Sequence, residues 1–204
     1  MLHKTACLIS AALLACVAAT AVSAQQPLRF RGTIEKVDGA NLVIKAGEAG
    51  DVTLTVADNA GIFGVKKATI ADIKAGDFIG VGADPQPDGS QRAIQVTIFA
   101  ESQRGTGEGH RPWDRPNTTM TNAAVETTVA GVKGQEMTVK YKMGERTGEQ
   151  KIVIPTDAVI RAYVVSDRSE LKPGASVAVM NATRKPDGTL EATRINVGRD
   201  GMAP

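Results

Sequence analysis

The chain has 204 residues, a formal net charge of +2 and aromatic side chains at only 3%. A nearly balanced charge gives no field to gather nucleic acid or an acidic surface, and so few aromatics leave little stacking area for bases or sugars. Twenty-one glycines, frequent Val, Ile and Thr, and no sustained 3.6-residue apolar period exclude a helical bundle and point to an all-β chain with many turns.

Lys4 is followed by residues 6–22, all apolar or small, and Val22-Ser23-Ala24 places small residues at the −3 and −1 positions of a cleavage site. This reads as a secretory signal peptide over residues 1–24 and predicts a periplasmic or secreted protein. The run falls short of the ~20 residues that span a bilayer, and no basic stop-transfer cluster follows it. Leu13-Leu14-Ala15-Cys16 resembles a bacterial lipobox, so a lipoprotein anchored through Cys16 is the alternative. Both cysteines, Cys7 and Cys16, lie in this leader. The mature chain therefore has no thiolate metal site, no cysteine nucleophile and no redox CxxC chemistry.

About 180 residues follow the leader, enough for one large β-domain or two small ones. Residues 28–37 form the first expected strand, and Asp38-Gly39-Ala40-Asn41 a turn. Residues 42–45 and 52–56 form the next two strands; Val52, Leu54 and Val56 alternate with Thr53 and Thr55, the period of a half-buried strand. Residues 57–71 read as a looser segment. The turn at residues 72–77 launches a strand at 78–83, and after the turn at 84–89 the fifth strand covers 92–100.

The same order then recurs. Strands are expected at residues 122–129, 136–141, 150–154, 176–181 and 191–197, with turns in the matching places. Lys74 and Lys172 stand 98 apart, as do Gly76 and Gly174, and Asp88 and Asp187 stand 99 apart. Matching turns at a constant offset mark a duplicated unit. Five strands in about 70 residues are too few to leave open, and closure into a small barrel removes the edges. The expectation is two tandem five-stranded barrel-like (OB-like) domains, at residues 28–100 and 122–198, with a tail at 199–204. Units of this size are marginal alone, so they should pack on each other or on the segment between them.

That segment, residues 101–121, is a Gly/Pro-rich strap containing RGTGEGHRPWD. It carries His110, the only histidine beyond His3, and Trp113, the only tryptophan. Gly105, Gly107 and Gly109 alternate, but Pro112 and Pro116 forbid the helix that a phosphate-binding loop must lead into, and no GK[ST] follows. The glycines are therefore read as a flexible or tightly turned connector. Glu108 and His110 are two residues apart and could hold copper or zinc, although zinc takes at least three protein ligands and others would have to come from afar. Trp113, between Arg111 and Arg115, is expected to plug a groove between the barrels with an arginine over its face. Ser102, His110 and Asp114 are the residue types of a nucleophilic triad but lack a nucleophile elbow, so no catalytic residue and no enzyme activity are predicted.

The run G-x-I-x-x-V-D-G at residues 32–39, the turns Ile73-Lys74-Ala75-Gly76 and Leu171-Lys172-Pro173-Gly174, and D-G-x-x-x-A at residues 88–93 and 187–192 resemble a bacterial family of exported β-domains of unknown function. RGTGEGHRPWD followed by Met120-Thr121-Asn122 resembles one branch of it. That resemblance implies no catalytic residues. Members are sometimes labelled metal ABC transporter permeases, a label at odds with a chain that has no further apolar run long enough to span a membrane.

These features predict a non-enzymatic binding or structural protein of the cell envelope, without a resident cofactor, acting on an envelope protein or small ligand. The residues expected to carry binding are Arg104, Glu108, His110, Arg111, Trp113 and Asp114, because loops displayed by rigid barrels are where binding residues lie. A metal-handling protein using Glu108 and His110 is the first alternative. An OB-type binder of oligosaccharide or nucleic acid is the second; scarce aromatics and balanced charge speak against it, and no nucleic-acid partner is predicted.

Overall fold

A computed structural model describes residues 27–131 and 134–204. The expected leader at residues 1–24 lies outside the described residues. Within them the chain is all-β: twelve strands and four short 3-10 turns. No helix among the described residues is long and apolar enough to cross a membrane.

The strands are β1 (Leu28–Asp38), β2 (Asn41–Lys45), β3 (Asp51–Lys67), β4 (Phe78–Pro85), β5 (Gln91–Ile98), β6 (Gly109–Pro112), β7 (Thr119–Gly131), β8 (Gly134–Met143), β9 (Arg146–Ile154), β10 (Val159–Ser166), β11 (Ser176–Arg184) and β12 (Leu190–Gly198). All belong to one continuous sheet that curls into two rings. The first ring runs β1-β2-β3-β12-β11 and returns to β1, with β3 and β12 parallel and every other pair antiparallel. The second runs β4-β7-β8-β9-β5 and returns to β4, closing where Gln91 and Arg92 of β5 pair with Ile152 and Val153 of β9.

The expected division at residues 28–100 and 122–198 does not follow these rings. The first ring joins the two ends of the chain, β1–β3 and β11–β12, while the second is the middle, β4 to β9. The physical cause lies in β3. Residues 57–67, read from sequence as a loose segment, continue the strand to Lys67. With no break there, the chain runs out of its own ring and delivers β4 and β5 to the other one. Strand β10, which the repeat pattern overlooked, carries the chain back. It pairs antiparallel with β3 and parallel with β5. Val65 faces Tyr163, its counterpart at the offset of 98, so this ladder is centred on a pseudo-twofold axis.

The turns matched in sequence make matching hydrogen bonds. Gly76 N–H donates to Val125 O at 2.8 Å, and Gly174 N–H donates to Ile34 O at 2.8 Å. Asp88 accepts from the backbone and hydroxyl of Ser90, as Asp187 does from Thr189. In the two glycine turns the N–H donor and the carbonyl acceptor lie in different halves of the sequence.

Each ring encloses its own core. Ile34, Leu42, Ile44, Leu54, Val179, Ile195 and Val197 fill the first; Ile79, Val81, Val96, Val125, Met137, Val139 and Ile152 fill the second. Each such side chain stabilises by roughly 1.5–3 kcal/mol on leaving water. A smaller cluster of Phe63, Val65 and Tyr163, with Phe99 and Met202 against it, seals the seam between the rings. Phe99 meets Tyr163 edge-on, ring centroids 5.5 Å apart. The tail after β12 is docked here, with Arg199 N–H donating to Val65 O and its guanidinium paired to Glu170.

Candidate functional site: the strap and its cleft

The strap begins with a 3-10 turn at Glu101–Gln103. Arg104 fixes it: Nε and Nη2 donate to both oxygens of Glu101 at 2.6 and 2.7 Å, and Nη2 also donates to Gly76 O at 2.8 Å. Two successive tight turns follow, Thr106 N–H to Gln103 O and Glu108 N–H to Gly105 O. Gly105 and Gly107 take φ of +80° and +56° in them, the left-handed region that glycine enters without a Cβ penalty. The connector is thus turned and tied down.

Buried Gln103 reaches across to the first ring. With its amide carbonyl directed at the guanidinium, the orientation that satisfies both groups, Gln103 accepts from Nη2 of Arg194 at 2.8 Å. Asn122 of β7 donates from Nδ2 to Thr106 O at 2.9 Å. Residues 103–108 therefore cross the seam, whereas residues 109–112 form β6, a short strand added to β7 alone, with His110 opposite Thr121 and Pro112 opposite Thr119. Sequence reasoning missed β6 because proline and glycine mask four residues of strand.

His110 Nδ1 is 2.8 Å from the hydroxyl of fully buried Thr121, and its ring stacks on Tyr141 of β8 at a centroid distance of 6.2 Å. Burial, and then the charge of Arg111, push the imidazole pKa below its ordinary value, so the ring is neutral at neutral pH. Glu108, two residues away, accepts the backbone N–H of Lys142 at 2.9 Å. The two proposed metal ligands are thus engaged with different strands, and no group of three or more metal-binding side chains of the His, Cys, Asp and Glu types occurs among the described residues.

Trp113 closes the β6–β7 hairpin, its backbone N–H donating to Thr118 O at 3.0 Å. The indole does not plug a groove between the rings. It lies half-buried on β4, where a Cβ on Gly82 would stand 2.5 Å from Cζ3 of the ring. The reason is local: β6 carries residue 113 along β7 to the outer wall of the second ring, and the missing side chain at Gly82 leaves a flat seat there. The guanidinium of Arg115 covers the ring, 5.5 Å from its centroid. That part of the sequence reading agrees with the structure.

His110, Arg111, Trp113 and Asp114 come together around an open cleft of about 840 Å³, with Pro85, Arg115 and Thr119 completing the wall. Arg104 and Glu108 do not line it and act as ties for the strap. Asp114 is exposed in the turn. Tyr141 and Thr121 escaped sequence reasoning, since what makes them notable is a partner 31 residues upstream for one and 11 for the other.

The chain matches no family model, no curated protein and no solved structure. The family resemblance of the turn and strap motifs therefore rests on those residues alone.

Proposed function

We propose that the chain is an exported, non-enzymatic binding or structural protein of the bacterial cell envelope, and that it presents the strap cleft on the second ring to an envelope protein or a small ligand. The observation that carries this reading is where the added structure lies. Among the described residues, β6 is a strand added outside the closing order of the second ring, and the His110–Tyr141 stack, the Trp113 seat and the open cleft all gather around it. Tyr141 packs against the second core and anchors the strap there, while Trp113 lies on the outside of β4.

We read each ring as an OB-like barrel. Support comes from the ring order, in which the first three strands of one copy are closed by the last two of the other, with the third and fifth parallel. Barrels of this type bind on the face of their second and third strands, here β8 and β9, and Tyr141 lies on β8. His110 bonds to Thr121 instead of to a carboxylate, which supports a binding role over a triad.

The test is affinity capture from native periplasm with the mature protein and with a double variant, His110→Ala with Asp114→Ala. The reading expects a partner retained by the native cleft and released by the variant. Identical captures from both would refute it.

A further inference from the structure

The seam between the rings collects positive charge. Ile195 and Val197 face the first core, so alternation turns Arg194 and Asn196 outward, toward the second ring. Arg194 lies over Phe63, 5.6 Å from the ring centroid, and bonds to Gln103 of the strap. Across the β11–β12 ladder it pairs with Asn181 at a register irregularity. Arg29 lies one strand further on, in β1, between Leu28 and Phe30, which pair with Ala182 and Val179 of β11. From the opposite side Arg111 folds back over the strap, Nη1 donating to Gly107 O at 2.8 Å.

None of the ion pairs among the described residues uses Arg29, Arg111 or Arg194. Burial, and then the charge of Arg29, lower the proton affinity of Arg111, with Asp114 opposing. Burial lowers that of Arg194 as well, and Arg29 adds to it against an opposing contribution from Tyr163. Around these guanidinium groups stand three amides with unmet hydrogen bonds: Oδ1 of Asn122, Oδ1 of Asn181, and both Nδ2 and Oδ1 of Asn196. Buried polar atoms are nearly always paired. Each of these is a neighbour of the cluster: Asn181 opposite Arg194, Asn196 two residues along the same face, and Asn122 against Gly107, where Arg111 folds.

We propose that this seam binds a tetrahedral oxyanion, a phosphate or sulfate group either free or carried on a small ligand, held by Arg29, Arg111 and Arg194. The guanidinium fork matches such oxygens with paired donors, and the unmet Nδ2 of Asn196 adds a donor, whereas Nδ2 of Asn122 is already given to Thr106 O. An anion here removes the mutual repulsion of three uncompensated cations. The strap crosses this seam, so the bound anion also fastens the strap to the first ring. The proposal is independent of the partner cleft: only Arg111 is common to both, and variants at Arg29 and Arg194 leave His110 and Trp113 in place.

The experiment is thermal unfolding of the mature protein in inorganic phosphate, in sulfate and in sodium chloride at matched ionic strength, with glycerol phosphate as a fourth arm. The expected result is a melting temperature that climbs with the logarithm of phosphate or sulfate concentration beyond the chloride baseline. Arg194→Gln should lose that climb, and Arg146→Gln, on the remote β8–β9 turn, should keep it. A stronger effect of glycerol phosphate than of phosphate identifies an anion carried on an organic body; equal effects identify the free ion. Should Arg194→Gln fail to fold, Arg29→Gln, at an exposed site, serves in its place. It should weaken the phosphate response and raise the melting temperature in anion-free, low-salt buffer, because a like charge has gone. Equal responses to phosphate and chloride, or an unchanged phosphate response in both arginine variants, overturn the proposal.

Discussion

The two rings share one strand order and close differently. In the first, β3 runs unbroken for 17 residues and pairs with β12 from Glu191 to Gly198. In the second, the matching stretch is interrupted after Ile154 by Pro155, which cannot donate to a ladder. The chain turns there, Ala158 N–H to Pro155 O, and resumes as β10. Direct closure by β5 and β9 shrinks to two residue pairs. The cores nevertheless correspond: Leu42 with Met137, Ile44 with Val139, Leu54 with Ile152, Ile195 with Val96. Interior positions stayed apolar while the outer wall of the second ring took on the strap. Packing fixes the interior, and the rings differ on the outside, where the strap lies.

The sharpest way to break this comparison is a core truncation that separates sequence neighbourhood from spatial neighbourhood. Ile195 is fully buried in the first ring although it belongs to the second half of the chain. Ile195→Ala should cost about 2–5 kcal/mol, and amide exchange should quicken in β1, β2 and β3. Faster exchange confined to β7, β8 and β9 would mean that each half keeps its own ring, and the exchanged topology would fall. Val96→Ala, the matching change, should be milder and should loosen β7–β9.

A second test uses a position where the copies differ. Gly32 of β1 pairs with Val177, and Ala123 of β7 pairs with Ile79, so the two are equivalent. The second ring accommodates a methyl there. In the first ring a Cβ on Gly32 would lie 2.3 Å from the backbone oxygen of Lys45. Gly32→Ala should therefore destabilise by about 1–3 kcal/mol, the usual cost of overpacking, read as a lower urea midpoint. An unchanged midpoint would show that β1 and β2 have room to part.

Sequence reasoning succeeded where a local pattern decides the outcome. Alternation in Val52-Thr53-Leu54-Thr55-Val56 announced a strand, and the D-G turns at Asp88 and Asp187 exposed the repeat. It failed where the deciding contact is remote. Nothing within residues 57–67 tells whether β3 bends back or runs on, because that depends on β12 and β10 arriving from beyond residue 158. Gly82 reads as an ordinary glycine until Trp113 is laid on it. The strap histidine and tryptophan stood out by rarity alone, but their seats on Thr121, Tyr141 and Gly82 required the β6–β7 register.

A smaller effect sharpens the account of the strap. Arg115→Ala uncovers the indole of Trp113 and should cost about 0.5–1 kcal/mol, the scale of a cation–π contact near the surface. As Trp113 is the only tryptophan, iodide quenching of the intrinsic emission reads that one site. Quenching should rise in the variant. Equal quenching would place the guanidinium elsewhere in solution and leave the Gly82 seat as the sole hold on the ring.

The smallest effect concerns His110, and its sign follows from burial. The folded imidazole takes up a proton less readily than the unfolded one, whose pKa is near 6.5. Above that value both states are neutral and stability is indifferent to this group. As pH falls through it, the unfolded chain protonates first and is favoured, so stability declines until the folded ring protonates too and the slope ends. The surrounding groups explain why no carboxylate rescues the cation: Thr121 and Tyr141 are uncharged neighbours, and Arg111 repels it. Carboxylates held low by hydrogen bonds, such as Asp88, Asp187 and Glu170, add their own losses only at more acidic pH. His110→Gln should therefore flatten the stability profile just below pH 6.5 and leave the acid limb intact. A profile that keeps its slope there would assign the step to another group and return the imidazole to solvent, undoing the asymmetry that sets the second ring apart.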